Sequence, residues 1–173
     1  MSGPTPSQTK LALVATIVVV AVATAFFVAE RTTVVTAGYT APFLWLFSAL
    51  FLARVAGQLV ARSRKPAWLP PTDEWNLSPY TLLLPAQLVI LAVMAWVDIS
   101  FSLGRGLPVR PNHSVGSGLL VFAYVYAGVM AARYGARMVR RPEQRWFGGA
   151  IPIVFHFVLA SYVYVFASFH ASH

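Results

Sequence analysis

Cysteine is absent from this chain of 173 residues. Its absence excludes disulfide bonds, thiolate metal sites and cysteine nucleophiles. Charged side chains are also scarce, at 10% of the residues, against about 25% in an average soluble domain. The chain has five acidic residues, and they do not cluster within an apolar stretch. We therefore expect no metal site.

Motifs that carry catalytic chemistry are missing as well. The sequence contains no catalytic motif of paired carboxylates, no His-Glu-x-x-His zinc motif and no Gly-x-Ser-x-Gly nucleophile elbow. It also lacks the glycine patterns of the Walker and Rossmann phosphate-binding loops. We expect no catalytic residue and predict that the chain is not an enzyme.

Apolar residues dominate the composition. They make up 58% of the chain, aromatic residues make up 14%, and the mean hydropathy is +0.67. A soluble core could not hide this much apolar surface, so the lipid bilayer has to act as the solvent. Most of the basic residues behind the net charge of +8 lie in short connectors between apolar runs. This pattern favours a membrane protein over one that binds nucleic acid.

Five apolar segments have about the 20 residues that are needed to cross the hydrocarbon core of a bilayer. They cover residues 11–29, 39–61, 80–104, 118–138 and 147–169, after a polar tail at residues 1–10. Lipid cannot satisfy exposed backbone groups, so each segment should form a helix. Segment one has some features of a signal peptide, but its length favours a retained helix. The predicted fold class is an all-α integral membrane protein, in which residues 11–173 form one bundle of five transmembrane helices.

The connectors predict the orientation through their basic residues. Lys10 precedes segment one, "RSRKP" follows segment two, and "RMVRRPEQR" follows segment four. The other two connectors hold three basic residues in all, Arg31, Arg105 and Arg110. Because basic loops stay on the cytoplasmic side, the N-terminus should be cytoplasmic and the C-terminus outside. We expect a multi-pass protein of the bacterial inner membrane.

Segment five carries two histidines, His156 and His170, in a stretch otherwise rich in Phe and Tyr. At 100° per residue they lie only about 40° apart around the helix and about 21 Å apart along it. The same stripe of the helix carries the small residues Gly149, Ala160 and Ala167. Small residues let helices approach closely in lipid, so we expect His156 at a helix–helix contact. His170 should reach the outer interface.

The spacing of these histidines resembles that of the haem ligands on one helix of b-type cytochromes. Two bis-histidine haems need a second helix with two more histidines, and the remaining ones, His113 and His173, lie outside the apolar segments. One histidine-ligated haem, or ligation shared with another subunit, is the alternative. A hydrogen-bonded histidine within the bundle is favoured, and no cofactor is predicted.

Segment three carries Gln87 and Asp98, which lie about 20° apart around the helix. Ionisable residues inside a span are costly and often functional, so Asp98 is a candidate for a proton relay or a cation site. It is also a candidate for a polar clamp between segments three and five, worth about 1–2 kcal/mol. Arg105, His170 and His173 are its candidate partners, and the clamp is favoured.

Three arginines lie within apolar segments: Arg54 in segment two, and Arg133 and Arg137 in segment four. Long arginine side chains can extend to the headgroup layer, which is the favoured explanation. Their guanidinium groups also suit an anionic partner, either a lipid phosphate or a cofactor carboxylate. Between these two partners, contact with lipid is favoured over a dedicated cofactor.

Segment four carries two adjacent series of small residues at four-residue spacing. One series includes Ala131 and Gly135, and the other includes Gly128 and Ala132. Two small ridges side by side predict close packing on a broad face, against more than one helix. We therefore expect segment four to be the central helix of the bundle.

The stretch "KPAWLPP", at residues 65–71, resembles the Lys-Pro-x-Trp-x-Pro-Pro stretch of the tryptophan-rich sensory and translocator family. Members of that family have five helices and bind porphyrins and sterol-like ligands. Here the stretch follows the second apolar segment instead of the first, and the Trp-x-x-Leu-Tyr pattern of the family is absent. The resemblance covers this short stretch alone, and it keeps ligand binding as an alternative.

Together these features favour a non-catalytic subunit, or an assembly or stabilising factor, of a larger membrane complex. Its partners would be the lipid bilayer and other membrane subunits, and not nucleic acid. The alternative is a membrane-embedded binding protein for a porphyrin or haem, a quinone or a lipid, with His156, Gln87, Asp98 and an arginine in its pocket. A homo-oligomeric channel or transporter is less favoured, because five helices without an internal repeat make a poor lone transporter.

Overall fold

The computed structural model describes residues 37–63, 80–140 and 151–173. They form four α-helices, which correspond to predicted segments two to five: α1 (Ala37–Ser63), α2 (Tyr80–Leu103), α3 (His113–Arg140) and α4 (Ile151–Ala171). A short 3-10 helix at Leu107–Val109 lies between α2 and α3. Segment one, the polar tail, Gly149 and the "KPAWLPP" stretch lie outside the described residues.

All four α-helices are long and apolar enough to cross a membrane. The described part of the chain is thus all-helical, as its composition predicts, and its helices fit a membrane-spanning protein. The physical reason is that lipid offers no hydrogen bonds to a backbone. A helix satisfies its own N–H and C=O groups along the whole crossing.

A glycine ends α2. Gly104 has a positive φ of 61°, a backbone conformation that favours glycine over residues with a side chain. The N–H groups of Gly104 and Arg105 bond back to the carbonyl oxygens of Phe101 and Ser100, at 3.2 and 3.1 Å. This pair of bonds is a Schellman motif, which satisfies carbonyl groups that the end of a helix leaves free.

A capping residue moves the start of α3 ahead of the predicted position. The side-chain oxygen of Asn112 accepts the N–H of Val115 at 3.1 Å, and so satisfies one of the free donors at a helix N-terminus. α3 therefore begins at His113 and includes the polar Gly-Ser-Gly stretch before the apolar run that was expected to begin at residue 118.

α1 contributes one continuous buried face to the core. Its buried positions recur every three or four residues, which is the spacing of one helix face. They are Thr40, Ala41, Leu44, Phe47, Ser48, Phe51, Arg54, Val55 and Gln58. Four of these buried residues are polar, whereas large apolar residues of α1, such as Leu52, are exposed.

α4 is the central helix of the described bundle. It packs along α1 and along α3, while α1 also packs along α2. Its contact with α2 includes Phe101, whose ring lies 5.8 Å from the ring centre of Phe166 and 4.8 Å from that of Phe169. Of the apolar window in each helix, 56% is buried in α4 and 17% in α3. In the described part of the bundle the central place thus belongs to α4, and the expected central place of segment four in a bundle that includes segment one stays a prediction.

The side chains of α4 explain its central place. Its small residues Ala160 and Ala167 are buried, and so are the aromatic residues Tyr162, Tyr164 and Phe169. Each buried aromatic side chain contributes roughly 150–250 Å² of contact area. A helix with a small face and large rings can therefore make contacts on all sides, whereas the small ridges of α3 offer little area to its neighbours.

Gly116 of α3 lies in direct contact with the backbone of α4. A Cβ atom at this position would lie 2.7 Å from the His170 carbonyl carbon and 2.9 Å from Ala171 Cα, and against the Ala171 nitrogen as well. Only a residue without a side chain fits against a backbone at this distance. At Gly118, by contrast, such a Cβ atom meets nothing within 4 Å.

We expect Gly116→Ala to lower the free energy of unfolding by about 1–3 kcal/mol, as overpacking of a close contact does. Each kcal/mol corresponds to a fall in melting temperature of roughly 2–4 °C for a chain of this size. Gly118→Ala is the matched control, because its methyl group meets open space and alanine favours a helix. Thermal unfolding in detergent measures both. Equal melting temperatures for the two variants would show that the helices do not touch at Gly116.

Candidate functional site

Polar side chains meet α4 at three levels along its length. The first level lies near Ile151, where α4 begins, and includes His156. The middle level includes Tyr162, and the third, near Ala171, includes His170. We call the two ends of the bundle the Ile151 end and the Ala171 end.

At the Ala171 end, His170 anchors the start of α3. Its side chain is 3% exposed, and its ring packs against those of Phe166 and Phe169, with centroids 4.5 and 5.3 Å away. The backbone N–H of Asn112 donates to Nδ1 of His170 at 3.2 Å. Because Asn112 also caps α3, this one bond fixes where α3 begins relative to the end of α4.

At the middle level, Asp98 of α2 is bonded to Tyr162 of α4. The carboxyl group is fully buried, and the Tyr162 hydroxyl donates to its Oδ1 at 3.0 Å. The same hydroxyl lies 3.3 Å from the carbonyl oxygen of Met94, one turn earlier on α2. The structure thus places Asp98 between the helices of segments three and five. Its partner is a tyrosine and not one of the three basic residues suggested by the sequence.

Ser48 of α1 is buried at this level as well, and its hydroxyl group faces the same carboxyl group. The Asp98 carboxyl group therefore lies between side chains of α1 and α4. Gln87, toward the opposite end of α2 from Asp98, is also buried, and its Oε1 has no hydrogen-bond partner in the described helices.

A hydrogen bond also joins α1 to α2. The indole N–H of Trp45 donates to Oγ of Ser102 at 2.9 Å.

At the Ile151 end, His156 of α4 is bonded to Tyr126 of α3. The Tyr126 hydroxyl lies 2.6 Å from Nδ1 of the half-buried histidine, and the two rings are perpendicular, with centroids 5.8 Å apart. Which atom donates depends on the histidine tautomer. In either tautomer the bond joins α3 to α4. The structure places His156 at a helix–helix contact, and its role as a ligand stays a prediction.

Arg54 of α1 is buried close to this pair. It is 8% exposed, its Nη1 donates to Oε1 of Gln58 at 3.2 Å, and its guanidinium carbon lies 5.7 Å from the ring centre of Phe155. An arginine that extends to the headgroup layer would keep its charged end in water. Arg54 therefore differs from the favoured expectation, because its neighbours are protein side chains.

Arg133 adds a second positive charge at this end. It lies on α3, seven residues and about 20° around the helix from Tyr126, and it is exposed. The charges of Arg54 and Arg133 both act on His156. Arg137, one turn further along α3, is half-buried and has an interaction within the protein. In the described part of the chain, no three His, Cys, Asp or Glu side chains gather as a metal site.

The small residues that were expected to pack helices fall into two groups. Ala160 and Ala167 of α4 are buried. The four on α3 are exposed in the described structure: Gly128, Ala131, Ala132 and Gly135. A Cβ atom at Gly128 or Gly135 would meet nothing within 4 Å. These four residues face away from the described bundle, and their packing role stays a prediction.

Four polar side chains at these levels were not identified from the sequence, namely Ser48, Gln58, Tyr126 and Tyr162. Gln58 follows Arg54 by one helical turn, and Tyr126 precedes Arg133 by two turns. Spacing from the arginines would therefore have identified both residues. Tyr162 lies among the aromatic residues of segment five. In that pattern it is read as one more aromatic ring, and its hydroxyl group gives no separate signal. Nothing in the local pattern marks Ser48.

We expect Asp98→Asn to be tolerated better than Asp98→Leu, because an amide oxygen can still accept the Tyr162 hydroxyl bond. The leucine variant leaves that hydroxyl buried without its carboxyl acceptor, and should lower the free energy of unfolding by about 1–3 kcal/mol. Tyr162→Phe is the matched control that removes the donor and keeps the carboxyl group. Thermal unfolding measures all three. If asparagine and leucine are equally damaging, the charge of Asp98 matters and not its hydrogen bond.

Comparison with known proteins adds no relative to this picture. No protein-family model, no curated protein and no solved structure matches the chain. The functional argument therefore rests on the chemistry and placement of the chain's own side chains.

Proposed function

We propose that the chain is a non-catalytic subunit, or an assembly or stabilising factor, of a larger membrane complex. The observation that supports this proposal is the exposed face of α3, defined by Gly128, Ala131, Ala132 and Gly135. α3 is the least buried of the four described helices, and this face points away from α4. Small residues in lipid serve close helix packing, so the face suits a helix of a partner subunit.

The polar contacts within the bundle support the same proposal. The bonds between Tyr126 and His156, and between Tyr162 and Asp98, each join two different helices. Bonds of this kind stabilise helix contacts in membranes by about 0.6–2 kcal/mol each. Polar side chains that are hydrogen-bonded within the bundle suit a protein with a structural role.

We also propose five spans in a bacterial inner membrane, with the N-terminus in the cytoplasm and the C-terminus outside. The connectors after segments two and four carry six Lys and Arg residues, against three in the other two connectors, which supports this orientation. The contacts of Tyr126 with His156 and of Asn112 with His170 run in opposite order along α3 and α4. These two helices are therefore antiparallel, as consecutive spans have to be.

The absence of cysteine makes this topology directly measurable with single-cysteine variants. In intact spheroplasts, a membrane-impermeant maleimide should label Ser172→Cys and should leave Ser2→Cys unlabelled until the membrane is permeabilised. Ser63→Cys, exposed at the end of α1, is the control for the cytoplasmic side. Labelling of both termini from the same side would indicate an even number of spans and contradict the proposal.

The proposed role as a subunit predicts that the chain leaves its native membrane in a particle larger than its own 18.9 kDa, with defined partner proteins. Gly128→Leu should detach these partners. The melting temperature of the isolated chain should change little, since Gly128 is exposed and a Cβ atom at this position meets nothing within 4 Å. Gentle detergent extraction, size-exclusion chromatography and mass spectrometry measure the size and composition of the particle.

Val93→Leu is the matched control for this experiment. Val93 is 52% exposed on α2, away from the small-residue face of α3, so this variant should keep the partners. A wild-type chain that elutes alone or as a homo-oligomer would overturn the proposed role as a subunit. A lower melting temperature for the isolated Gly128→Leu chain would assign the face to segment one of the chain itself, and would also contradict it.

A binding protein for a haem, a quinone or a lipid is the second candidate, and the basic groups around His156 favour it. The two candidates differ in the expected effect of His156→Leu. For a structural subunit, the variant loses the bond to Tyr126 and weakens packing or assembly without a change in absorbance. Loss of a visible absorbance band with intact assembly would instead identify His156 as the ligand of a pigment.

A further inference from the structure

Three helices each contribute a basic group near the Ile151 end. α1 and α3 both pack along α4 and share no extensive contact with each other in the described structure. Arg54 comes from α1 and Arg133 from α3, and the charges of both act on His156 of α4. With Tyr126, which is bonded to His156, these residues form what we call the basic cluster.

The described residues provide no nearby carboxylate to balance this charge. Asp98 is the single acidic residue within residues 37–63, 80–140 and 151–173. It lies at the middle level beside Tyr162, which is six residues, or about 9 Å, along α4 from His156. A buried guanidinium group without an anion beside it is strongly unfavourable. The basic cluster therefore suits an anion from outside these residues.

Arg54 has a donor free for such an anion. The residue is 8% exposed, and its buried Nε has no hydrogen-bond partner among the described residues, while Nη1 is held by Gln58. The Phe155 ring, 5.7 Å from the guanidinium carbon, helps to hold the group in place. When Nδ1 of His156 carries the proton and donates to Tyr126, the tyrosine hydroxyl is free to donate as well.

The chemistry of these donors favours a phosphate group. A guanidinium group presents several N–H donors in a fixed fork, and such forks match the oxygens of phosphate. The two arginines come from different helices, so they can approach one group from two directions. A phosphate group has enough oxygens to accept from both arginines and from a tyrosine hydroxyl at the same time.

The depth of the basic cluster suits a phosphate group at the membrane surface. His156 lies three residues, or about 5 Å, from Ile153, where the apolar span of α4 begins. Arg54 lies six residues, or about 9 Å, from Val60, where the span of α1 ends. A group held at this level lies within about two helical turns of the headgroup layer.

We propose that the basic cluster is a binding site for a phosphate group, held between α1, α3 and α4 by Nε of Arg54, the guanidinium group of Arg133 and the hydroxyl of Tyr126. The phosphate belongs to an anionic phospholipid or to free phosphate, which present the same oxygens. The site goes beyond the proposed role as a subunit and does not depend on it.

The test is the melting temperature of the purified, delipidated chain in an uncharged detergent. Phosphatidylglycerol, diacylglycerol and inorganic phosphate are added separately, and diacylglycerol serves as the control with acyl chains and no phosphate. A ligand at about 100 times its Kd should raise the melting temperature by roughly 5–10 °C. An effect of phosphatidylglycerol alone identifies a lipid headgroup, and an effect of inorganic phosphate identifies free phosphate. No shift with either, or an equal shift with diacylglycerol, overturns the site.

Variants then assign the effect to the basic cluster. Arg54→Gln and Arg133→Gln should each abolish the shift, whereas Arg110→Gln, which removes an exposed charge at the opposite end, should keep it. Arg133 is exposed, so its variant stays informative if Arg54→Gln fails to fold. Native mass spectrometry of the wild-type chain counts bound lipid without any variant. A full shift in both cluster variants would overturn the site.

Discussion

A polar side chain inside a bilayer has no water to bond, so it is stabilised by a polar partner, which another helix of the protein can supply. α4 meets this requirement at three levels. It is bonded to α3 through His156, to α2 through Asp98, and to the segment before α3 through His170. The placement of α2 and α3 follows in part from these bonds, because each fixes the depth and the side at which a neighbour meets α4.

The same requirement applies to buried polar atoms that have no hydrogen-bond partner in the described structure. Nε of Arg54, at the Ile151 end, is such an atom. Leaving such a group unpaired costs about 1–3 kcal/mol, out of a total stability of about 5–15 kcal/mol for a folded protein. Nε of Arg54 therefore marks a place where an anionic group would stabilise the protein.

Much of the fold is readable from local sequence. Length and hydropathy predict the four described helices, and the predicted end of segment three at residue 104 matches the glycine that terminates α2. The start of α3 differs, because the Asn112 cap lies in a polar stretch that hydropathy does not report. The central position of α4 could not be predicted from small residues alone. Large rings such as Phe169 contribute more contact area than the glycines of α3, and nothing local shows which face a neighbour will cover.

The candidate site, too, could be predicted from the sequence only in part. Composition identifies His156, Asp98 and Arg54 as unusual, since charged and polar residues are rare in apolar segments. Their partners came from contacts between distant parts of the chain, such as the bond that joins Asp98 to Tyr162 across 64 residues. A helix that is apolar on every side carries no periodic signal to separate protein from lipid. The sequence therefore determined that the described helices are long and apolar enough to span a membrane, through properties that each segment has alone. Which side chains meet was decided by packing, because a hydrogen bond between two helices depends on how both are turned.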